Sequence, residues 1–182
     1  QNFIIIYLLL IVTMNLLTNY YGTNVLKNAI IEEVETSMYE EANSIAQEYV
    51  SDIYSIHSSL SSSIPFLRKQ FISLHALSKT RIWLTKESGV ILVDSDTNKN
   101  KEGKNINQYN SSFLNNQVSK GTPLGKLLTE ESLFVIYPLT ADMTTNGYII
   151  LSYPMKTIDK QVVSYMDSVI VCFLVFYLIL FL

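Results

Sequence analysis

From Thr23 to Ile64 the chain carries neither Gly nor Pro, and apolar residues recur at Leu26, Ile30, Val34, Met38, Ala42, Ile45, Tyr49, Ile53, Ile56 and Leu60. Steps of three and four put them on one stripe of a helix, because a turn takes 3.6 residues. A helix of that length reaches about 60 Å at about 1.5 Å per residue, further than a small domain is wide. The pattern predicts a rod that continues the apolar segment before it and lays its stripe on the domain or on a second copy of itself. Glu32, Glu33, Glu35, Glu40 and Glu41 read as its solvated face. Ser61–Ser63 followed by Pro65 predict a break and a restart, since Pro suits a helix's first turn. Phe66, Leu67, Phe71, Leu74 and Leu77 then predict a shorter helix ending near Ser78–Lys79.

After Thr80 the period changes from helical to alternating. Ile82 and Leu84 interleave with Arg81, Trp83 and Thr85, Glu87-Ser88-Gly89 is a turn, and Val90–Val93 is apolar. That is a β-hairpin. Asp94 to Asn110 is a long polar excursion rich in Asn and Lys, and long ordered loops tend to be functional. Ser111 or Ser112 is placed to cap a short helix through Val118, ended by Gly121-Thr122-Pro123. Leu124–Leu128, Leu133–Leu139 and Tyr148–Tyr153 are three further strand candidates. From Pro154 the pattern is helical again and runs through Ile158, Val162 and Tyr165 into a second apolar segment. Strands grouped apart from helices predict an α+β domain with a five-stranded antiparallel sheet.

Composition sharpens the two ends. Mean hydropathy is +0.22 and the net charge −3, yet every Lys, Arg, Asp and Glu lies between Lys27 and Asp167. Phe3–Leu17 and Ser168–Leu182 carry no charge. Each is about 15 residues, short of the roughly 20 that a spanning helix needs, which implies that the sequence is cut within or near two membrane helices. A cleaved signal peptide is the alternative for the first, but no basic stretch precedes it and no small-x-small site follows it. A buried core helix is the alternative for the second; Val169–Leu182 is apolar all round, which suits lipid better. The expected division is a membrane helix over 1–19, a water-soluble domain over 20–167 and a second membrane helix over 168–182. The Lys/Arg rule cannot orient the spans without their outer flanks. The soluble part has no Cys, and the mild acidity argues against nucleic acid as a partner.

The hairpin Arg81-Ile82-Trp83-Leu84-Thr85-Lys86-Glu87-Ser88-Gly89-Val90-Ile91-Leu92-Val93-Asp94-Ser95-Asp96 carries a resemblance. So do Glu102-Gly103-Lys104-Asn105-Ile106, Leu133–Leu139 and Gly147-Tyr148-Ile149-Ile150-Leu151. In this order, over roughly residues 20–165, the chain resembles the extracytoplasmic Cache (PDC, PAS-like) sensor domain of bacterial transmembrane receptors, especially sensor histidine kinases. The resemblance implies a multi-pass cell-membrane protein whose domain lies outside the cytoplasm. It also implies a long first helix that forms a homodimer interface and an output module beyond Leu182. The family favours an ATP-dependent histidine kinase, with a chemoreceptor or diguanylate cyclase output as variants. A membrane-tethered binding or scaffold protein without a cytoplasmic enzyme is the competing class.

Catalytic chemistry is not legible. There is no nucleotide-binding Gly loop, Cys cluster or HExxH, and no cofactor is expected. His57 and His75 sit in helical patterns and read as surface or packing residues. Asp94-Ser95-Asp96-Thr97-Asn98 begins like a calcium loop, but Lys99 stands where Gly belongs and Asn105 where Glu belongs. Asp94 and Asp96 are therefore expected to accept backbone N–H groups at the strand exit. Asn110-Ser111-Ser112 fits a glycosylation acceptor, but a helix cap explains it better. Pockets in the resembled family lie between the sheet and its covering loop. Arg81, Trp83, Tyr109, Tyr137 and Thr140 are the expected ligand-binding residues, Arg81 pairing with a carboxylate through its two-pronged donor set. The alternative leaves Arg81 exposed and Trp83 in the core or an interface.

Overall fold

The computed structural model describes residues 2–50, 60–141 and 143–181. Two compact units emerge, Gln1–Glu33 with Lys156–Leu182, and Val34–Met155.

The first unit is built on α1 (Asn2–Leu17) and most of α4 (Met155–Phe181). α1 is apolar on every side and exposes Ile5, Ile6, Leu8, Leu9, Leu10 and Val12, as a helix in hydrocarbon does. Among the described residues two helices are long and apolar enough to cross a membrane, one beginning at Ile5 and the other at Met155. Tyr7 donates its hydroxyl to the Tyr177 carbonyl at 3.0 Å and meets the Tyr177 ring edge-on. Further along, Lys27 Nζ lies 2.6 Å from Asp159 Oδ1.

A π-helical turn at Thr18–Gly22 carries α1 into α2 (Thr23–Ile45), and a second follows at Ala46–Val50. The part of the expected rod over residues 51–59, with His57, lies outside the described residues. Where described, the apolar stripe is buried within its own chain at Ile30, Met38, Ala42 and Ile45. α3 (Leu60–Ser78) contains Pro65 rather than starting on it. At the sixth position the ring removes the bond to the Ser61 carbonyl and crowds that carbonyl, a cost confined to the start of the helix. Leu67 and Phe71 face inward, and α3 ends on Lys79 at φ 63°, whose N–H donates to His75 O at 3.0 Å.

Five antiparallel strands follow: β1 (Arg81–Lys86), β2 (Ile91–Asp94), β3 (Val118–Gly121), β4 (Ser132–Ala141) and β5 (Thr144–Pro154), in the order β2-β1-β5-β4-β3. Register places Trp83 opposite Ile150 and Ile150 opposite Ile136. This face packs with Phe134, Ile106, Phe113, Leu114, Leu124 and Leu127 into one cluster. On the other face Ile82, Leu84, Leu133, Val135, Ile149 and Leu151 are buried, and Tyr137 there donates to Asn43 Oδ1 of α2 at 2.8 Å. With both faces covered, β1 reads Arg81 to Thr85 as one buried run.

Two expectations fail between β2 and β4. Leu124–Leu128 is not a strand; Leu127 and Leu128 both donate backbone N–H groups to Leu124 O, as in a single helical turn. Its buried Leu124 and Leu127 serve as plugs, and at about 1.5–3 kcal/mol each they hold the turn on the sheet. The third strand is Val118–Gly121, where a helix end was expected. The helix over 111–118 shrinks to one turn, Phe113–Asn115, and Ser112 does not cap it. Asn110 Oδ1 instead accepts from Ser112 N–H and Oγ–H, a side-chain turn that competes with helix.

The outer edge of β2 is not bare. Ile91 N–H donates to Lys104 O at 2.9 Å, Gly103 N–H donates to Ile91 O at 2.8 Å, and Val90 bridges Asn105.

Candidate functional site

β1 opens with Arg81, and the loop leaving β2 folds back over it. Arg81 donates from Nε and Nη2 to the two carboxylate oxygens of Asp94, at 3.0 and 2.7 Å. Nη2 also reaches Lys99 O at 2.6 Å, and Nη1 lies 3.4 Å from Asp96 Oδ2. The guanidinium lies 5.2 Å from the centre of the Trp83 ring. The Arg81 side chain is 9% exposed and that of Asp94 0%. A fully desolvated, two-pronged pair of this kind is structural: neither partner is free to recognise anything else.

The same carboxylates organise the loop. Asp94 accepts the N–H groups of Asp96 at 3.0 Å and Lys101 at 2.7 Å, and Asp96 Oδ1 accepts those of Asn98 and Lys99. Burial pushes the Asp96 carboxyl upward, but the Lys99 amide and the Arg81 charge outweigh it and hold the group below its ordinary range. Glu102 behaves alike: burial raises it, and the Arg68 fork at 2.9 and 2.6 Å, with the Asp94 amide, brings it down. Among the described residues no cluster of three His, Cys, Asp or Glu is placed to hold a metal.

The five residues expected at a ligand site are not brought together. Arg81 and Trp83 share a sheet face, and Tyr109 packs half-buried against the cluster that contains Trp83. Trp83 is core, and its Nε1 has no acceptor among the described residues. Tyr137 is on the opposite face against α2. Thr140 is exposed and pairs with Thr145, beside a bulge in β4. That is seven residues along β5 from Ser152, the partner of Arg81, or about 23 Å.

A cavity of about 290 Å³ opens at the end of the sheet where β1 begins and β5 ends. Arg81, Ser132, Ser152 and Pro154 line it from the strands. His75 and Lys79 come from the end of α3, Asp96, Lys99 and Lys101 from the loop after β2, and Lys126–Glu130 from the turn before β4. His75 is fixed by its Nδ1, 2.9 Å from Thr80 O. Five cations thus face two carboxylates. Arg81 is committed to Asp94 and Asp96, and Lys99 to Glu130 at 3.0 Å. Among the described residues no ion pair occupies Lys79, Lys101 or Lys126. Of these residues only Arg81 was expected from the sequence. The available signal was the recurrence of Lys99, Lys101 and Lys104 in one loop; the contributions of Lys79 and Lys126 come from segments 20 or more positions away and carry no local mark.

The fold has solved relatives. The sensor domain of the V. cholerae histidine kinase DctB is 14% identical with a TM-score of 0.60, the match covering 81% of this chain and 58% of that one. The extracellular domain of the putative histidine kinase vpHK1S-Z8 is 12% identical with a TM-score of 0.56, covering 80% and 59%. The sensory domain of the Campylobacter jejuni chemoreceptor Tlp3, with isoleucine bound, is 14% identical with a TM-score of 0.50, covering 82% and 65%. The chain therefore has the α+β fold of these sensor domains, with the long first helix and five-stranded antiparallel sheet of the Cache resemblance, and spans about three-fifths of their length. No protein-family model and no curated protein matches the sequence.

Proposed function

We propose that this chain is the extracytoplasmic sensory region of a bacterial transmembrane receptor, feeding an ATP-dependent two-component histidine kinase beyond Leu182. One observation carries the proposal. β5 passes at Pro154 straight into the 27-residue α4, which continues without a linker into a segment apolar enough to cross a membrane. A strand that runs on into a span without a linker can hand on a shift in position, provided the signal biases one of two arrangements. The assigned parts are a first span within 1–19, the domain over 20–167 and a second span from 168 to 182. A small molecule such as a carboxylate is the assigned class of input, with membrane lipid around the spans. The Tlp3 likeness favours a chemoreceptor output as the second reading.

A homodimer through the long helix belongs to the same proposal. Because the stripe through Ile30 and Met38 is covered by its own chain, the seam falls to the exposed flank marked by Val25. Cysteines at Val25 cross-link between copies in membranes and cysteines at Met38 do not; equal yields at both sites would refute a defined seam. For the function itself, residues 1–182 are joined to the cytoplasmic half of a histidine kinase with a reporter. The output changes with external solute composition while phosphatase fusions at Asn98 are active outside the cytoplasm. An inactive phosphatase, or an output fixed under all solutes, refutes the sensory reading.

A further inference from the structure

We infer that the cavity at the β1/β5 end of the sheet binds a small dianion, a dicarboxylate or inorganic phosphate, through Lys79, Lys101 and Lys126, and that its occupancy acts on the first turn of α4. This rests on the sensory reading above and gives it a site.

The electrostatics come first. Three ammonium groups with no ion pair among the described residues share one cavity of about 290 Å³. Lys101 is half-buried and Lys79 and Lys126 are exposed at the rim, so holding three like charges around one site carries a modest cost. A bound dianion turns that cost into attraction. The volume sits at the small end of ligand pockets, which suits a small anion the size of phosphate or succinate. Lysines act as mobile point charges without the planar fork of arginine, so the site reads charge and size before shape. Arg81, the residue built for a fork, is tied to Asp94 and serves as a wall.

Backbone conformation points the same way. Lys79 occupies the left-handed region at φ 63°, at the residue after a helix end, where Gly is the ordinary choice. A lysine accepts strain there that Gly avoids. A cation gains something from the nearby helix carbonyls, but residues 75–78 offer that gain without the strained φ. The position that lines the cavity is the one that bears the Lys.

The cavity also touches the outgoing helix. Lys99 and Glu130 pair at 3.0 Å while more than 60% exposed, a contact too weak to resist competition. A dianion competes with Glu130 for Lys99. The next residue, Glu131, accepts through its carbonyl from Met155 N–H, the first residue of α4, at 3.0 Å. Freeing the turn at Glu130 therefore loosens the hydrogen bond that holds the Met155 N–H.

The test uses the full chain in lipid nanodiscs at low ionic strength, with binding read by calorimetry. Succinate and phosphate are the probes; acetate and L-isoleucine are the single-charge and zwitterion controls. At least one dianion binds ten or more times tighter than both controls; which of the two wins identifies the source of the charge. Lys101→Ala with Lys126→Ala lowers that affinity tenfold or more. Lys79→Gly lowers it too while thermal stability is kept or raised, which separates binding from folding. Lys86→Ala with Lys104→Ala removes the same net charge outside the cavity and leaves affinity within twofold. Glu130→Gln tightens binding. No dianion binding, unchanged binding in the cavity variants, or equal loss in the Lys86/Lys104 pair overturns the site. Flat calorimetry beside a responsive kinase fusion sinks this site alone, whereas tight binding beside an unresponsive fusion sinks the sensory reading.

Discussion

Replacing Asp94 by Ala isolates the energetics of the buried ion cluster. The change removes both acceptors of the Arg81 fork and the acceptors of the Asp96 and Lys101 amides. The guanidinium stays buried beneath the loop, with Lys99 O at 2.6 Å and Asp96 Oδ2 at 3.4 Å as its remaining partners. Breaking a desolvated pair by deleting one partner costs about 3–5 kcal/mol, because a charge is left uncompensated. Asp96 offsets part of this, so the lower end, about 3 kcal/mol, is expected. That is a large share of the 5–15 kcal/mol typical of a whole domain. The Arg68–Glu102 pair has the same two-pronged geometry, but its side chains are 37% and 22% exposed. Arg68→Ala should therefore cost no more than about 1 kcal/mol. Urea unfolding in micelles, followed by the emission of Trp83, the sole tryptophan, measures both. Trp83 sits 5.2 Å from the Arg81 guanidinium and reports on the affected core. If Asp94→Ala costs less than 1 kcal/mol, or no more than Arg68→Ala, the cluster is not structural, and Arg81 returns as a candidate ligand contact.

Glycine replacements separate backbone strain from crowding. Gly89 and Gly103 have φ values of 84° and 80°, but an added Cβ at Gly89 meets Asn105 Oδ1 and Asn107 Nδ2 at 3.0 Å, while at Gly103 it meets nothing within 4 Å. Gly103→Ala should cost about 1 kcal/mol of strain, and Gly89→Ala measurably more in the same urea assay. In acid, Asp96 and Glu102 have folded pKa values below their unfolded 3.8 and 4.5. Their contribution is complete above those values and is lost as pH falls through the lowered ones, so stability drops in the acid range. Glu102→Gln should flatten that limb of a pH–stability curve. Glu41 behaves oppositely. Burial raises its pKa above 4.5 despite a hydrogen bond with Ser78, so stability climbs as pH falls from neutral through the raised value. Glu41→Gln should abolish the climb and stabilise the protein at pH 7.

The sequence showed what periodicity encodes. The stripe from Leu26 buries Ile30, Met38, Ala42 and Ile45, the strands β1, β2, β4 and β5 are buried or half-buried over most of their length, and burial leaves its mark in the order of residues. β3 was missed because it is a four-residue edge strand, half-buried, with one hydrogen-bonded neighbour. Leu124–Leu128 was mistaken for it because plugs set into a sheet from a turn are as apolar as a strand. At the site, Asp94 and Asp96 accept backbone amides as their place at a strand exit implies. The pairing of Arg81 with Asp94, and of Glu130 with Lys99, depends on tertiary approach between residues 13 and 31 positions apart. No local rule contains those distances, and so the Arg81–Asp94 fork could not be read from the order of residues.

The backbone lying along β2 has a consequence for how this domain behaves when crowded. A sheet grows by adding strands to any edge that still offers donors and acceptors. Residues 103–106 occupy the outer side of β2, taking the Ile91 amide and answering its carbonyl, so no second chain can dock there without displacing them. Growth is left to β3, which is four residues long and exposes Lys120 on its surface. A polymer of these domains, if one ever formed, would begin at that lysine.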